Sequence, residues 1–296
     1  MKMLLRSHAG ILVAASLALT CAQSRAEKVR DLEADVVYGH KDGLALTMDV
    51  YRPKGTPSGG AVLFLVSGGW VSRWGPPEQA RPLFAPYLEA GHLDFAERHG
   101  SSPRYTIPEA VGDVRRAVRF VRSNAARFGV DAERLGVLGM SAGGHLSLML
   151  ATTGDEGNPR AQDVVERESS RVASVAALVP PTDLRVAVWE SPESLPAYRA
   201  FPALDLPMAK AKEHSPVVHA SADDAPALVI MGGKDELVPP RHGEWIAAAY
   251  EKAGAAHKLI VLPEAGHGLD GAGNREKVVA EVVRWFDRHL GAPSEE

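Results

Sequence analysis

The 296-residue chain is 45% apolar with a formal net charge of −4. That is enough apolar material for one large α/β core, and there is no basic excess of the kind that marks a nucleic-acid partner. Its one cysteine, Cys21, leaves nothing to form an intrachain disulfide, and no His-x-x-x-His or Cys-x-x-Cys spacing offers a metal set, so stability must come from packing and no metal is indicated.

The chain begins with Lys2 and Arg6, then an apolar run from Ala9 to Thr20, then Ser24-Arg25-Ala26 as a small-x-small cleavage signal. This order reads as a secretory signal peptide over residues 1–26, which predicts a secreted or periplasmic protein. The run is about half the roughly 20 residues that span a bilayer, so no membrane span is expected after cleavage. Ala18-Leu19-Thr20 before Cys21 is a poor lipid-attachment signal. Loss of Lys2, Arg6 and Arg25 takes the formal charge to −7.

From Ala34 onward, short apolar runs alternate with longer helical patterns, the signature of a mostly parallel sheet covered on both faces. Eight strands are predicted, at 34–38, 45–51, 61–66, 93–96, 135–138, 175–179, 227–231 and 258–262. The first two are joined by a turn-rich link that suits an antiparallel hairpin. Helices are predicted over 108–127, where Val111, Val114, Val118 and Val121 recur at three-to-four spacing, and over 142–152, 241–252 and 275–290. Residues 154–171 read as a solvated loop. Residues 184–214, rich in proline with Trp189, Tyr198 and Phe201 interleaved, read as a lid or binding insertion on a single domain that runs from 27 to 296.

Between the fifth strand and the following helix stands Gly139-Met140-Ser141-Ala142-Gly143. Glycines two residues either side of a serine permit a sharp turn that lifts the hydroxyl off the sheet. After the seventh strand Asp235 sits in a Gly-rich turn, and after the eighth His267 lies between Gly266 and Gly268. Both fall at the carboxyl edge of the predicted sheet, where the chemistry of open α/β sheets gathers. The chain order is therefore nucleophile Ser141, acid Asp235, base His267. The serine needs an imidazole to take its proton, and the imidazole needs a carboxylate to fix its tautomer. Asp183, after the sixth strand, is a rival acid; Glu236 adjoins Asp235 but points elsewhere on the turn. His145 lies behind the serine on its helix and reads as a packing histidine, whereas most of His214, His219, His242, His257 and His289 are expected to be solvated. The third strand runs into Ser67-Gly68-Gly69-Trp70, so the backbone N–H groups of Gly69, Trp70 and Ala142 are candidate donors to a developing oxyanion. Trp70, Trp74, Trp189, Tyr198 and Phe201 are candidates for an aromatic acyl pocket, with Trp189 and Tyr198 foremost.

Taken together, "LTMDVYRP", "SGGW", "GVLGMSAGGHLS", "PPTDL", "GGKDELVP" and "AGHGL" resemble secreted bacterial esterases of the α/β-hydrolase superfamily, in its fold-3 and feruloyl-esterase-like (BD-FAE-like) group. The likeness runs from about residue 34 to 290 and is weakest over 154–226. It implies an α/β-hydrolase fold and a cofactor-free serine carboxylic-ester hydrolase acting on short-chain, carbohydrate-linked or feruloyl-type esters. Ser141, Asp235 and His267 take the triad positions, and Gly69, Trp70 and Ala142 those of the oxyanion hole. In two places the sequence departs from the pattern. Ser67 stands where the group usually has histidine. The fourth strand carries Asp94 and Glu97, whose burial would be costly unless the strand is partly exposed or they pair with Arg98 or Arg104. Two other readings compete: a prolyl-oligopeptidase-like exopeptidase, although about 30 residues leave no room for that group's amino-terminal domain, and a non-catalytic binding protein on a hydrolase scaffold.

Overall fold

Alternating residues of Leu32–Lys41 (β1) and Leu44–Tyr51 (β2) pair antiparallel. They are joined by Asp42 and Gly43 at φ +48° and +77°, the left-handed pair that a two-residue hairpin requires. The computed structural model describes residues 31–291, so the expected leader at 1–26 with Cys21 lies outside the described residues. Six further strands follow: β3 (Ala61–Leu65), β4 (Leu93–Glu97), β5 (Leu135–Met140), β6 (Ser174–Leu178), β7 (Ala227–Gly232) and β8 (His257–Leu262). The sheet order is β1-β2-β4-β3-β5-β6-β7-β8. β2 is antiparallel to both neighbours, and all pairings from β4 to β8 are parallel. The strand order reverses between β3 and β5, and a crevice opens at such a point above the carboxyl ends of the strands.

Helices cover both faces. Ile107–Ser123 (α2) opens on a capping box in which the Glu109 carboxylate accepts the Thr106 N–H at 2.9 Å. Its Val111, Val114, Val118 and Val121 are all buried, as their spacing predicts. The helix stops at Ser123 instead of reaching Arg127; the short helix Ala125–Phe128 (α3) follows and ends on Gly129 at φ +73°. Ala142–Thr153 (α4) and Arg241–Ala253 (α6) join α2 in the larger core, while Asn274–Leu290 (α7) places Val282, Phe286 and Leu290 in a second core. Helix α1, Pro77–Glu89, was not expected. Its prolines at 82 and 86 obscure the pattern, yet Phe84, Tyr87 and Leu88 still bury one face.

Residues 154–171 form the expected surface loop, which is also tethered: Arg119 pairs with Asp155 at 2.5 Å and with Glu166 at 2.9 Å, and Arg116 binds Glu166 at 2.8 Å. One further expectation is corrected. Strand β4 is neither exposed nor relieved by a neighbouring arginine, because it is sandwiched between β2 and β3, with Asp94 1% and Glu97 0% exposed. Arg98 turns instead to Asp49 and Asp35, and Arg104 is exposed. Both Asp94 oxygens lack a hydrogen-bond partner. Burial pushes Asp94 well above the usual carboxylate range and Glu97 up to about 8, because it disfavours the charged form of both. A protonated Glu97 can donate to the Tyr38 hydroxyl, 2.6 Å away, which in turn donates to the Arg98 carbonyl at 3.0 Å.

The insertion consists of short turns at Leu184–Val186, Pro196–Ala200 and Pro202–Leu204, followed by helix α5 (Met208–Glu213).

Candidate active site

Ser141 caps α4 at φ +55° and ψ −119°, a conformation sparsely populated for a non-glycine residue and found where a fold over-determines it. Its neighbours explain how. A Cβ on Gly139 would collide with the backbone of Gly143, and one on Gly143 would come within 2.7 Å of the Leu65 carbonyl. The strand-to-helix turn is thus closed against β3, and the Ser141 N–H is tied to the Leu178 carbonyl at 2.8 Å. The hydroxyl stands at the sheet's carboxyl edge and remains partly exposed.

The turn after β7 holds Asp235, whose side chain is fully buried. One carboxylate oxygen accepts the N–H groups of Leu237 and Val238 at 2.9 and 2.8 Å, and the other faces His267 Nδ1 at 2.8 Å. His267 Nε2 lies 3.0 Å from Ser141 Oγ. Since Nδ1–H must donate to a carboxylate, Nε2 is left as the acceptor for the serine proton. Residues 94 and 126 positions from the serine in sequence, or 32 apart from each other, thereby form one relay. Asp183 takes no part, because its carboxylate is held by Arg185 at 2.5 and 2.8 Å. Its burial favours protonation, but these bonds outweigh that and leave its pKa lowered. Glu236 is exposed.

The loop after β3 makes a two-residue turn. Gly68 and Val71 exchange both of their backbone hydrogen bonds, at 3.0 and 3.1 Å, with Gly69 and Trp70 at the tip, each at φ +59°. The turn's own bonding therefore leaves the N–H groups of Gly69 and Trp70 free, as the first turn of α4 leaves that of Ala142. Two buried histidines brace this loop. His99 donates Nδ1–H to the Gly100 carbonyl at 2.7 Å, so its Nε2 accepts the Ser67 hydroxyl at 2.8 Å; a histidine from the end of β4 thus supports Ser67, which stands where the resemblance led one to expect a histidine. Trp70 Nε1 can only donate, and it does so to His145 Nδ1 at 3.2 Å, which leaves His145 Nε2–H for the His214 carbonyl at 2.8 Å. Burial lowers His145 to about 4 and also lowers His99, so both stay neutral.

Ser141 opens into an apolar cleft lined by Trp70, Pro181, Tyr198, Phe201, Leu204 and Val238, with a free volume of about 20 Å³. Phe201 closes over the turn so tightly that a Cβ on Gly69 would lie 2.5 Å from its ring. Of the aromatic candidates, Trp70, Tyr198 and Phe201 line this cleft. Trp189 does not: it packs against the core, and its indole N–H is buried without a partner. Trp74 lies in a different cleft. The expectation of mostly solvated histidines fails at His214, 7% exposed, and at His242, 0% exposed. His242 Nδ1 accepts the Thr182 N–H at 3.1 Å, and its Nε2 is 3.4 Å from the Tyr198 hydroxyl. It therefore sits beneath a wall of the cleft, a role that only the buried half-turn of α6 could have disclosed.

The chain is similar in sequence and in fold to known esterases. The chain is 32% identical over 272 residues to the esterase LipQ of Mycobacterium tuberculosis, with 88% of this chain and 64% of that protein covered. It is 33% identical to the probable carboxylic ester hydrolase LipM of the same organism, over 70% of this chain and 49% of that one. The chain thus spans about half to two thirds of the length of these relatives. A thermophilic esterase from Thermogutta terrifontis superposes with a TM-score of 0.71 at 25% identity, covering 91% of this chain and 96% of the other. The BD-FAE family model matches residues 48–250. This stretch holds the Gly68–Val71 turn, Ser141 and Asp235, and the chain belongs to the BD-FAE family of α/β-hydrolases.

Proposed function

We propose that the chain is a serine carboxylic-ester hydrolase for esters of short acyl groups, working through an acyl-enzyme. The hydrogen-bonded series Ser141, His267, Asp235, facing a turn with two free N–H groups, carries this reading. Ser141 Oγ attacks the ester carbonyl as His267 Nε2 takes its proton, and the buried Asp235 carboxylate steadies the imidazolium. The carbonyl oxygen, now negative, is received by the N–H groups of Gly69, Trp70 and Ala142, each such donor typically being worth about a hundredfold to a thousandfold in rate. His267 then gives its proton to the leaving alcohol oxygen, and the acyl group remains on Ser141. Water attacks that ester with His267 as base, releasing the acid and restoring the hydroxyl.

A free space of about 20 Å³ holds little more than one water. Together with Phe201 over the turn, this narrowness supports a short acyl group such as acetyl or propionyl. The leader-like residues 1–26 support reading the enzyme as exported. The test is hydrolysis of p-nitrophenyl acetate by the chain from residue 27 onward beside its Ser141→Ala variant. A rate lost with the serine is the expected result, and equal rates would leave the serine as a mere turn residue and favour the binding-protein reading.

A further inference from the structure

His145 lies in the first turn of α4, four residues past Ser141, and is wholly buried. It holds three parts of the site at once. Its backbone N–H donates to the Ser141 carbonyl at 2.9 Å, its Nδ1 accepts the Trp70 indole N–H at 3.2 Å, and its Nε2–H donates to the His214 carbonyl at 2.8 Å. The turn that carries the nucleophile, the Gly68–Val71 turn and the end of the insertion therefore meet on one residue. Trp70 needs such an anchor, because its ring lines the cleft at Ser141 while its backbone is held at φ +59°, where a bulky residue does not stay unaided. The two rings meet edge to face, 5.5 Å between centroids and 76° between planes. A buried side chain in this place must accept from one partner and donate to the other while carrying no charge, and a neutral imidazole does both. An apolar residue would leave the Trp70 indole N–H and the His214 carbonyl without these partners.

We propose that His145 is a positioning residue for ester hydrolysis: it fastens the Gly68–Val71 turn and the insertion to the helix that carries Ser141, and so sets where the Trp70 backbone N–H stands relative to the nucleophile. It never meets the substrate. A donor aimed at an oxyanion acts only as the charge develops, so loosening it lowers kcat and leaves KM nearly unchanged. The inference rests on the esterase reading for its effect on rate, while the fastening is a property of the resting protein.

The test is a double-mutant cycle of His145→Leu, which removes both ring nitrogens, and Trp70→Phe, which removes the indole donor. Each should lower kcat on p-nitrophenyl acetate by about tenfold to a hundredfold, short of the full loss of one donor, with KM within about twofold. The combined variant should fall no further than the worse single one, because both remove the same bond. His145→Asn, whose amide can both accept and donate, should recover most of the rate. An unchanged kcat in Trp70→Phe, losses that multiply in the double variant, or a fall carried by KM overturns the proposal, and Trp70→Phe keeps the test decisive if His145→Leu does not fold. A second readout needs no turnover: the Trp70 indole N–H resonance, assigned by its absence in Trp70→Phe, should shift in His145→Asn, and an unmoved resonance overturns the fastening. A wild-type protein inactive on the ester would sink the esterase reading alone.

Discussion

On the proposed esterase reading, Phe201 is the residue expected to set acyl selectivity. Its ring packs over Gly69, and with Tyr198 and Leu204 it confines the cleft beside Ser141 to about 20 Å³. Replacing it with alanine removes the ring that fills the space an acyl chain would occupy. Each methylene then admitted to apolar surroundings contributes about 0.8 kcal/mol. Butyrate has two more methylenes than acetate, so the butyrate-to-acetate ratio of kcat/KM should rise by about 1.6 kcal/mol, roughly fifteenfold. The assay is the p-nitrophenyl ester series from acetate to hexanoate on wild type and Phe201→Ala. Taking the ratio removes any common loss of rate from a slackened oxyanion turn. A folded Phe201→Ala protein with an unchanged chain-length profile would refute the argument that this ring bounds the acyl site.

The buried acids of β4 give two more predictions. Asp94→Val should remove two unpartnered oxygens from the sheet interior and raise stability by about 1–3 kcal/mol, seen as a rise of several degrees in Tm; an unchanged or lower Tm counts against it. Glu97 titrates near 8 when folded, against 4.5 for a free side chain, so between those values the native state holds a proton that the unfolded chain has released. Stability therefore falls as pH rises through that window, by up to about 1.4 kcal/mol per unit, and levels off above it. Glu97→Gln should flatten this slope in urea midpoints measured from pH 5 to 9, and an undiminished slope would place the titration elsewhere.

The regular parts of the fold were legible because their local signals agree. The Asp42-Gly43 turn, the valine spacing of α2 and the apolar parallel strands each point the same way as the tertiary structure. The meeting of Ser141, His267 and Asp235 was legible for a related reason: a serine between glycines and partners at strand ends are imposed by backbone geometry, which leaves marks in sequence. What escaped was set by long-range packing. Helix α1 is held by Phe84 and Tyr87 despite two internal prolines. His242 looks like any helical histidine until its burial against Thr182 and Tyr198 is seen. Trp189 and Phe201 lie twelve residues apart in the same irregular insertion, and only the path of the chain sends one to the core and the other over the serine.

The two histidines behind the oxyanion turn show how such packing enters the chemistry. Trp70 sits at φ +59°, where a bulky side chain is strained, and that conformation persists only if its surroundings enforce it. The enforcement is the bond from its indole to His145 and the bond from its carbonyl to Ser102, with Ser67 fixed by His99 at the base of the loop. Each histidine must remain neutral to accept its bond, since an imidazolium has no acceptor nitrogen. Burial, which lowers both pKa values, is therefore what keeps the loop assembled as pH falls toward the ordinary imidazole range. The same low-dielectric interior that makes Asp94 and Glu97 awkward neighbours in β4 is thus useful a few residues further along, at His99. One buried layer both burdens the sheet and holds the turn proposed to receive the substrate's negative charge.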